Sequence, residues 1–312
     1  MNPGQAGLLK EGFKKMETKR FRGTTVALIT PFDREKKVDE NRLRRFVDWQ
    51  IENKTDVVLA CGTTGESATL SHDEHHRVMD VVIDQAGGRV PVLCGAGSNA
   101  THEALSLTAY AEQAGADAVL CVGPYYNKPT QDGFYAHFRA IAESTDLPVI
   151  IYNVPGRTGS NISAATTLRL AELPNIVGIK EASGNLSQIM EILRSRPEDF
   201  LVLSGDDAVT LALMALGCDG VISVAANEVP AQLHDMVQSA LAGDWPRARE
   251  LHYALLPLME MNFIESNPIP VKTALAMMGH IEEQFRLPLV PISAPAREKL
   301  AALLRQMGLV SG

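Results

Sequence analysis

The chain alternates short apolar runs with longer amphipathic segments eight times, and this alternation limits the folds open to it. Runs rich in β-branched residues, each followed by a helix-period segment, are typical of parallel strands with helical crossovers. The predicted strands span residues 24–30, 56–60, 90–94, 118–122, 148–153, 176–180, 201–204 and 220–224. The predicted helices span residues 41–53, 72–86, 101–114, 133–144, 164–173, 186–194, 208–216 and 230–242.

Eight strand–helix units predict an α/β fold, a (β/α)8 TIM barrel over residues 21–242. A doubly wound open sheet is the alternative, but it expects a glycine-rich turn after its first strand, where this chain has Pro31-Phe32-Asp33. Residues 243–312 are predicted to form a C-terminal helical region, with helices near 246–262, 270–278 and 295–306. Residues 1–20 fit none of these units and are predicted to be an N-terminal extension.

Charge and composition narrow the possible partners. The formal net charge of −8 offers no basic surface for a phosphate backbone, so we expect no nucleic-acid partner. No run approaches the roughly 20 apolar residues of a membrane helix, and the first residues do not resemble a signal peptide. The four cysteines are widely separated and include no C-x-x-C pair. We therefore expect a cytoplasmic protein with reduced thiols and no membrane partner.

Lys180 is the most informative polar residue at a predicted strand end, the edge where TIM barrels place their active sites. It closes the apolar run Ile176–Ile179. An amine buried on a strand loses its proton readily, and the neutral amine is a carbonyl nucleophile. Lys180 could instead pair with Glu181 or another carboxylate, although strand alternation puts Glu181 on the opposite face.

Three further polar groups lie at or just after the ends of other predicted strands. Tyr152 is either a proton relay beside Lys180 or a buried phenol bonded to a carbonyl. The turn Gly62-Thr63-Thr64-Gly65 has backbone amides that can hold a carboxylate, and it lacks the lysine of a nucleotide-binding loop. Arg157 can bind a carboxylate through two parallel hydrogen bonds, or it can be a simple surface charge.

Metal and thiol chemistry have little support in the sequence. His72, His75 and His76 do not match the H-E-x-x-H pattern, and we expect them to form a solvated polar face. Cys61, Cys94 and Cys121 fall at strand ends, where we expect buried small residues rather than nucleophiles. The sequence therefore predicts neither a metal site nor a cofactor.

The chain resembles the dihydrodipicolinate synthase family. The resemblance rests on Gly62-Thr63-Thr64-Gly65-Glu66, on Tyr152-Asn153-Val154-Pro155-x-Arg157-Thr158 and on Gly178-Ile179-Lys180-Glu181, in this order, and it extends from about residue 21 to residue 309. The lysine and the first motif occur throughout the wider superfamily of N-acetylneuraminate lyase and other pyruvate-dependent class I aldolases. Pro124-Tyr125-Tyr126-Asn127 and the motif ending at Thr158 are more specific.

The resemblance implies a lyase that condenses pyruvate, held as a Schiff base on Lys180, with L-aspartate 4-semialdehyde in the diaminopimelate and lysine pathway. No cofactor is implied. The implied proton relay consists of Tyr152, Thr63 and Tyr126, with Tyr126 supplied by a neighbouring subunit. Thr63 and Thr64 would bind the pyruvate carboxylate and Arg157 that of the second substrate, while Gly205 and Ile222 would line the pocket.

The resemblance also implies feedback inhibition by L-lysine and a homotetramer built as a dimer of dimers. The implied lysine pocket consists of Ser67, Ala68, Leu70, His72, His75, Asn99, Glu103 and Tyr125. The sequence leaves two other functions open. One is a related Schiff-base lyase acting on N-acetylneuraminate or a 2-keto-3-deoxy sugar acid. The other is a non-catalytic regulator that binds an amino acid.

Overall fold

The computed structural model describes residues 18–311, and within this range eight parallel strands form a closed barrel. Each strand pairs with the next in the chain, and the last strand pairs with the first. The strands are β1 (Gly23–Ala27), β2 (Val57–Ala60), β3 (Val92–Gly95), β4 (Ala118–Val122), β5 (Val149–Asn153), β6 (Ile176–Glu181), β7 (Leu201–Ser204) and β8 (Gly220–Ser223). The predicted TIM barrel is therefore confirmed.

Helices follow each strand and cover the outside of the barrel. They are α1 (Glu40–Glu52), α2 (His72–Ala86), α3 (Thr101–Ala114), α4 (Gln131–Glu143), α5 (Pro155–Thr158), α6 (Ala164–Leu170), α7 (Leu186–Ser195), α8 (Thr210–Ala215) and α9 (Pro230–Leu241). Three helices follow the barrel: α10 (Trp245–Met261), α11 (Ile269–Met277) and α12 (Ala294–Gln306). No helix among residues 18–311 is long and apolar enough to cross a bilayer.

The strands are buried on both faces, as near-continuous apolar runs predict. Alternate residues fill the barrel interior, where Leu59, Leu120, Ile150, Leu203 and others form one apolar cluster. The residues between them pack against the surrounding helices in a second, larger cluster. This alternation decides which polar side chains at the strand ends point into the barrel.

A register shift between β5 and β6 sets the orientation of the last residues of β6. Ile176 pairs with Val149, but the next pair is Gly178 with Ile150, so one residue of β6 is passed over. A side chain at Gly178 would lie 2.7 Å from the carbonyl oxygen of Leu201, so only glycine fits there. Beyond the shift, Lys180 pairs with Tyr152 in register.

Two of the differences between the predicted and the observed structure have identifiable physical reasons. β1 ends at Ala27 rather than residue 30, because side chains replace the strand ladder: the Ile29 amide donates to Asn227 Oδ1 and the Thr30 hydroxyl to the Gly65 carbonyl. Arg157 lies on the short helix α5 rather than on a loop, and Pro155 starts this helix at a position where proline is favoured. Of the predicted N-terminal extension, residues 1–17 lie outside the described residues.

Candidate active site

A cavity of about 190 Å³ opens at the carboxyl ends of the barrel strands. Lys180, Tyr152, Arg157 and the turn Gly62–Thr64 line it together. These residues come from β6, β5, α5 and the segment after β2, which are far apart in sequence. The structure therefore brings together the polar groups that the sequence placed at separate strand ends.

Lys180 is almost completely buried, with 7% of its surface exposed. Its Nζ lies 4.3 Å from the centroid of the Tyr152 ring. Burial lowers the pKa of Lys180 to about 8; the Asp207 carboxylate opposes this shift and the Arg157 guanidinium adds to it. A substantial fraction of the amine is therefore neutral near physiological pH, the form that attacks a carbonyl carbon.

Glu181 does not pair with Lys180. Its carboxylate points to the other face of β6, where it accepts hydrogen bonds from Asn153 Nδ2 and Gln188 Nε2. The alternation of side chains along β6 thus separates the two charges. The alternative interpretation of Lys180 as half of an ion pair with Glu181 is wrong.

Tyr152 has its phenol inside the cavity and is 7% exposed. Burial raises the pKa of the phenol, while the Arg157 guanidinium and a hydrogen bond with the Thr63 side chain oppose that shift. The phenol therefore stays protonated next to the Lys180 amine. Together with the Thr63 hydroxyl it forms a short chain along which a proton can pass.

The turn after β2 presents free backbone amides to the cavity. Its own bonds run from the Gly65 amide to the Gly62 carbonyl and from the Glu66 amide to the Thr63 carbonyl, both at 3.1 Å. Among the described residues, no acceptor pairs with the amides of Thr63 and Thr64. Two adjacent unpaired amides form a concave anion site suited to a carboxylate.

Arg157 stands at the cavity mouth on α5 and is solvent-exposed. Its Nη2 lies 3.5 Å from the carbonyl oxygen of Asn267, which belongs to the segment before α11. The guanidinium keeps most of its donors free. It can therefore bind a carboxylate that enters the cavity above Lys180.

Gly205 lines the cavity directly after β7. A side chain there would lie 3.0 Å from Lys180 Cε, so the glycine leaves room for the amine. Ile222 does not line the cavity: it lies in the apolar cluster of the barrel interior with Tyr152 and is 1% exposed. Val224 has the inward orientation of Ile222, because side chains alternate along the chain, but it lies two residues nearer the strand end and lines the cavity.

Tyr126 lies outside the cavity of its own chain and is 89% exposed. Its backbone has a φ of 70°, in the left-handed region that few non-glycine residues adopt. The Tyr126 amide donates to the Thr158 carbonyl at 3.3 Å, which ties this residue to the end of α5. Of the three predicted relay residues, this chain's own cavity contains Tyr152 and Thr63.

A second cavity of about 360 Å³ adjoins the first and shares Thr63, Ser67, His75 and Arg157 with it. Its lining includes seven of the eight predicted lysine-pocket residues: Ser67, Ala68, Leu70, His72, His75, Glu103 and Tyr125. The eighth, Asn99, is not in the lining, and its carbonyl accepts a hydrogen bond from Asn127 Nδ2 at 2.8 Å.

The expectation of a solvated histidine face is wrong for His75. This residue is buried, and its Nε2 lies 2.8 Å from the Gly95 carbonyl oxygen. Burial lowers the pKa of His75 to about 4, so the ring is neutral at physiological pH. His76 stacks on Tyr110, with ring centroids 3.6 Å apart. The described residues contain no cluster of metal-binding groups.

All four cysteines are buried free thiols, as the sequence predicts for the three at strand ends. Burial raises the pKa of Cys61 and Cys94 well above the usual value, and that of Cys121 and Cys218 to about 12. Cys61 borders the cavity, but its thiol remains protonated. Thiol nucleophiles therefore play no part in the site.

Several cavity residues were not predicted from the sequence. Asp206, Phe263 and Asn267 line the cavity, and Asn267 Nδ2 donates to Thr64 Oγ1 at 3.1 Å. Asp207 is buried behind the site, and its Oδ2 accepts from the Val224 and Ala225 amides. Residues 263–267 lie outside the barrel between α10 and α11, and the pattern of those two helices gives no indication that the link between them folds over the strand ends.

The chain is similar to known proteins over nearly its whole length. The model of the dihydrodipicolinate synthetase family matches residues 20–307. The 4-hydroxy-tetrahydrodipicolinate synthase of Chloroherpeton thalassium is 54% identical over 296 residues, covering 95% of this chain and 98% of the relative.

Two similar crystal structures carry ligands. One is the chloride-inhibited dihydrodipicolinate synthase from Acinetobacter baumannii complexed with pyruvate. It is 46% identical to this chain, with a TM-score of 0.91, and the match covers 93% of this chain and 99% of that one. The other is the enzyme from Cyanidioschyzon merolae with lysine bound, which is 42% identical with a TM-score of 0.91 and the same coverage. This chain therefore belongs to the dihydrodipicolinate synthetase family.

Proposed function

We propose that this chain catalyses the 4-hydroxy-tetrahydrodipicolinate synthase reaction, the condensation of pyruvate with L-aspartate 4-semialdehyde in the diaminopimelate and lysine pathway. The buried Lys180 amine, whose pKa is lowered to about 8 beside Tyr152, is the observation that carries the proposal. Relatives with this activity, alike over nearly the whole chain, support it. The unpaired thiols suit the reducing cytoplasm, where we place the activity.

In the first step, the neutral Lys180 amine attacks C2 of pyruvate. The unpaired amides of Thr63 and Thr64 hold the pyruvate carboxylate and so orient C2 toward Nζ. The resulting carbinolamine loses water when its hydroxyl takes a proton from Tyr152, and an iminium ion remains on Lys180. The Tyr152 phenolate then takes a proton from C3, which gives the enamine and restores the phenol.

In the second step, C3 of the enamine attacks the aldehyde carbon of the semialdehyde. The new alkoxide takes a proton through Tyr152 and Thr63, and Arg157 holds the carboxylate of the incoming substrate. The substrate amine then attacks C2, closes the ring and displaces Lys180, which leaves as the free amine. The Lys180 nitrogen accepts the electron pair when C3 loses its proton and donates it when C3 attacks the aldehyde, so the proposed reaction uses no cofactor.

An assay coupled to the next reductase of the pathway tests the proposal. We expect turnover of pyruvate plus L-aspartate 4-semialdehyde by the purified chain. If there is no turnover but borohydride still traps pyruvate on the protein, the activity belongs to a related lyase acting on N-acetylneuraminate or a 2-keto-3-deoxy sugar acid. If there is neither turnover nor trapping, the chain is a non-catalytic binding protein and the proposal fails.

The rate of imine formation should depend on pH through Lys180. Only the deprotonated amine is nucleophilic, and the pKa of Lys180 is lowered from 10.5 to about 8. We expect the second-order rate constant for pyruvate capture to rise about tenfold per pH unit at pH values below that pKa, and then to level off. Borohydride trapping at a series of pH values measures it. A rise that continues to the ordinary lysine pKa would contradict the assigned nucleophile.

We also propose that Tyr126 completes the relay from a neighbouring subunit in a homotetramer arranged as a dimer of dimers. The large exposure of the ring, outside the cavity of its own chain, supports this assignment. The backbone tie between the Tyr126 amide and Thr158 holds the residue on the rim of the site. Facing copies of one surface in a two-fold dimer could exchange this side chain reciprocally.

L-Lysine is the proposed inhibitor, and the second cavity its proposed site. Glu103, which accepts a hydrogen bond from the Ser98 hydroxyl at 2.6 Å, supplies an anionic group for a lysine ammonium. We expect Glu103→Gln to raise the half-inhibitory lysine concentration at least ~10-fold, because a charge-assisted hydrogen bond is lost. Turnover without lysine should change little.

The matched control is Glu112→Gln on the same helix, since Glu112 lies outside the cavity and bonds the Asp146 amide. Inhibition curves from the coupled assay and calorimetric titration with L-lysine provide the comparison. If the Glu103 variant and the parent chain are equally sensitive to lysine, lysine does not bind in this cavity.

A further inference from the structure

Glu66 is a buried carboxylate at the end of the turn that follows β2. Its side chain is 1% exposed, and its backbone has a φ of 53°, in the left-handed region. Neither feature is favourable for a glutamate without a partner, because burial penalises the charge and the side chain strains that backbone conformation. Something else in the structure must hold Glu66 in place.

That partner is Lys272 from α11. Its side chain is 0% exposed, and its Nζ donates to Glu66 Oε1. The same Nζ lies 4.2 Å from the centroid of the Phe32 ring. The other carboxylate oxygen of Glu66 accepts a hydrogen bond from the Arg286 backbone amide at 3.4 Å. We call this group the Glu66 anchor; it consists of Glu66, Lys272, Phe32 and Arg286.

The Glu66 anchor connects the C-terminal helical region to the substrate turn. Arg286 adds a two-pronged pair with Glu74 at the start of α2 and a bond to the Thr69 carbonyl at 3.0 Å. Glu66 and the segment that follows it are therefore fixed to α11 and to the loop after α11. None of these charged groups lines the cavity, so they can affect the reaction only through the position of the turn.

We infer that Lys272 and Glu66 are positioning residues, which hold the Thr63 and Thr64 amides in the orientation that captures the carboxylate of the keto acid. This inference rests on the proposed function. The Glu66 amide donates to the Thr63 carbonyl, so a rotation of Glu66 moves the peptide units between Thr63 and Glu66. The pair therefore contributes to pyruvate capture more than to the later steps, in which the Lys180 bond already holds the substrate.

The double variant Glu66→Gln with Lys272→Met tests this inference. It removes both charges together and keeps side chains of similar size, so no buried charge is left unpaired. We expect kcat/KM for pyruvate to fall at least ~10-fold, because a small displacement of a positioning group weakens capture. We expect kcat/KM for the semialdehyde to stay within about twofold, since in ping-pong kinetics the two constants report separate half-reactions.

Glu283→Gln with Arg297→Met is the matched control. This pair also joins parts of the C-terminal region, through two bonds of 2.6 Å, but does not touch the turn. We expect both kcat/KM values of the control to stay within about twofold of the parent, whatever its Tm. A loss in the Glu66 variant shared equally by both substrates, or no loss for pyruvate, would overturn the inference.

Borohydride trapping separates failure of this inference from failure of the proposed function. If the parent chain traps no pyruvate, the proposed function is wrong. If the parent traps pyruvate and the double variant does so at the same half-saturating concentration, only the role of the Glu66 anchor is wrong. Should the double variant not fold, the single substitution Glu66→Asp decides, because it leaves both charges of the pair in place and shortens only the link between Lys272 and the turn.

Discussion

Replacing Lys180 by alanine should reduce turnover at least ~10⁴-fold, because the covalent intermediate can no longer form. Among the residues that the structure describes, the cavity lining offers no second amine that could take over, since its other polar side chains carry hydroxyls, a thiol, a carboxylate, an amide, an imidazole and the Arg157 guanidinium. Tyr152 and the amides of the turn would remain, so binding of pyruvate should persist. The coupled assay measures the rate, and mass spectrometry after borohydride treatment detects the adduct.

The chain contains its own control for this result. Lys272 is also buried with a pKa lowered to about 8, but it pairs with Glu66 and lies outside the cavity. Peptide mapping of the parent chain should therefore find the pyruvate adduct on Lys180 and none on Lys272. An adduct on Lys272, or one that survives in Lys180→Ala, would mean that a low pKa alone selects the reacting amine.

Mixing two inactive variants should restore activity if Tyr126 acts in a neighbouring site. Tyr126→Phe alone should lower turnover by about 10²-fold or more, because one proton carrier is lost. In a mixed dimer of Tyr126→Phe and Lys180→Ala chains, one site receives both an intact Lys180 and an intact Tyr126. Random mixing should then recover about a quarter of the parent activity, because half of the dimers are mixed and each has one competent site of two.

The control for this experiment is a chain carrying both substitutions, mixed with Lys180→Ala. No combination of these chains pairs an intact Lys180 with any Tyr126, so no activity should return. Ultracentrifugation confirms that mixed assemblies form. Mixed dimers of the two single variants that remain inactive would place the action of Tyr126 within its own chain and remove the need for the neighbouring subunit.

The barrel could be predicted from the sequence because its strands are fully buried and separated by amphipathic helices. Four elements agree with the prediction to the residue at both ends: β4, β7, α2 and α3. The prediction failed where side chains replace backbone partners, as at Ile29 and Thr30, because such bonds join residues far apart in the chain. Local periodicity contains no information about those contacts.

The site was predictable to the extent that it depends on strand ends. Lys180, Tyr152 and the turn after β2 lie where strand alternation and barrel topology place them. Asn267 and Lys272 were not predictable, since their positions over the turn depend on how the C-terminal helices pack back onto the barrel. The burial of His75 also escaped prediction, because its partner, the Gly95 carbonyl, comes from a neighbouring strand.

The burial of all four thiols makes the native barrel inert toward alkylating reagents. Cys61, Cys94 and Cys121 belong to the ends of β2, β3 and β4, and Cys218 precedes β8. A thiol reagent can label each of them only after the surrounding segment opens, since a buried, protonated sulfur does not react. The rate of labelling at each position would therefore record how often that part of the barrel opens, without the introduction of any probe. Comparing β2 to β4 with β8 in this way would show whether the closed sheet opens at one seam or as a single unit.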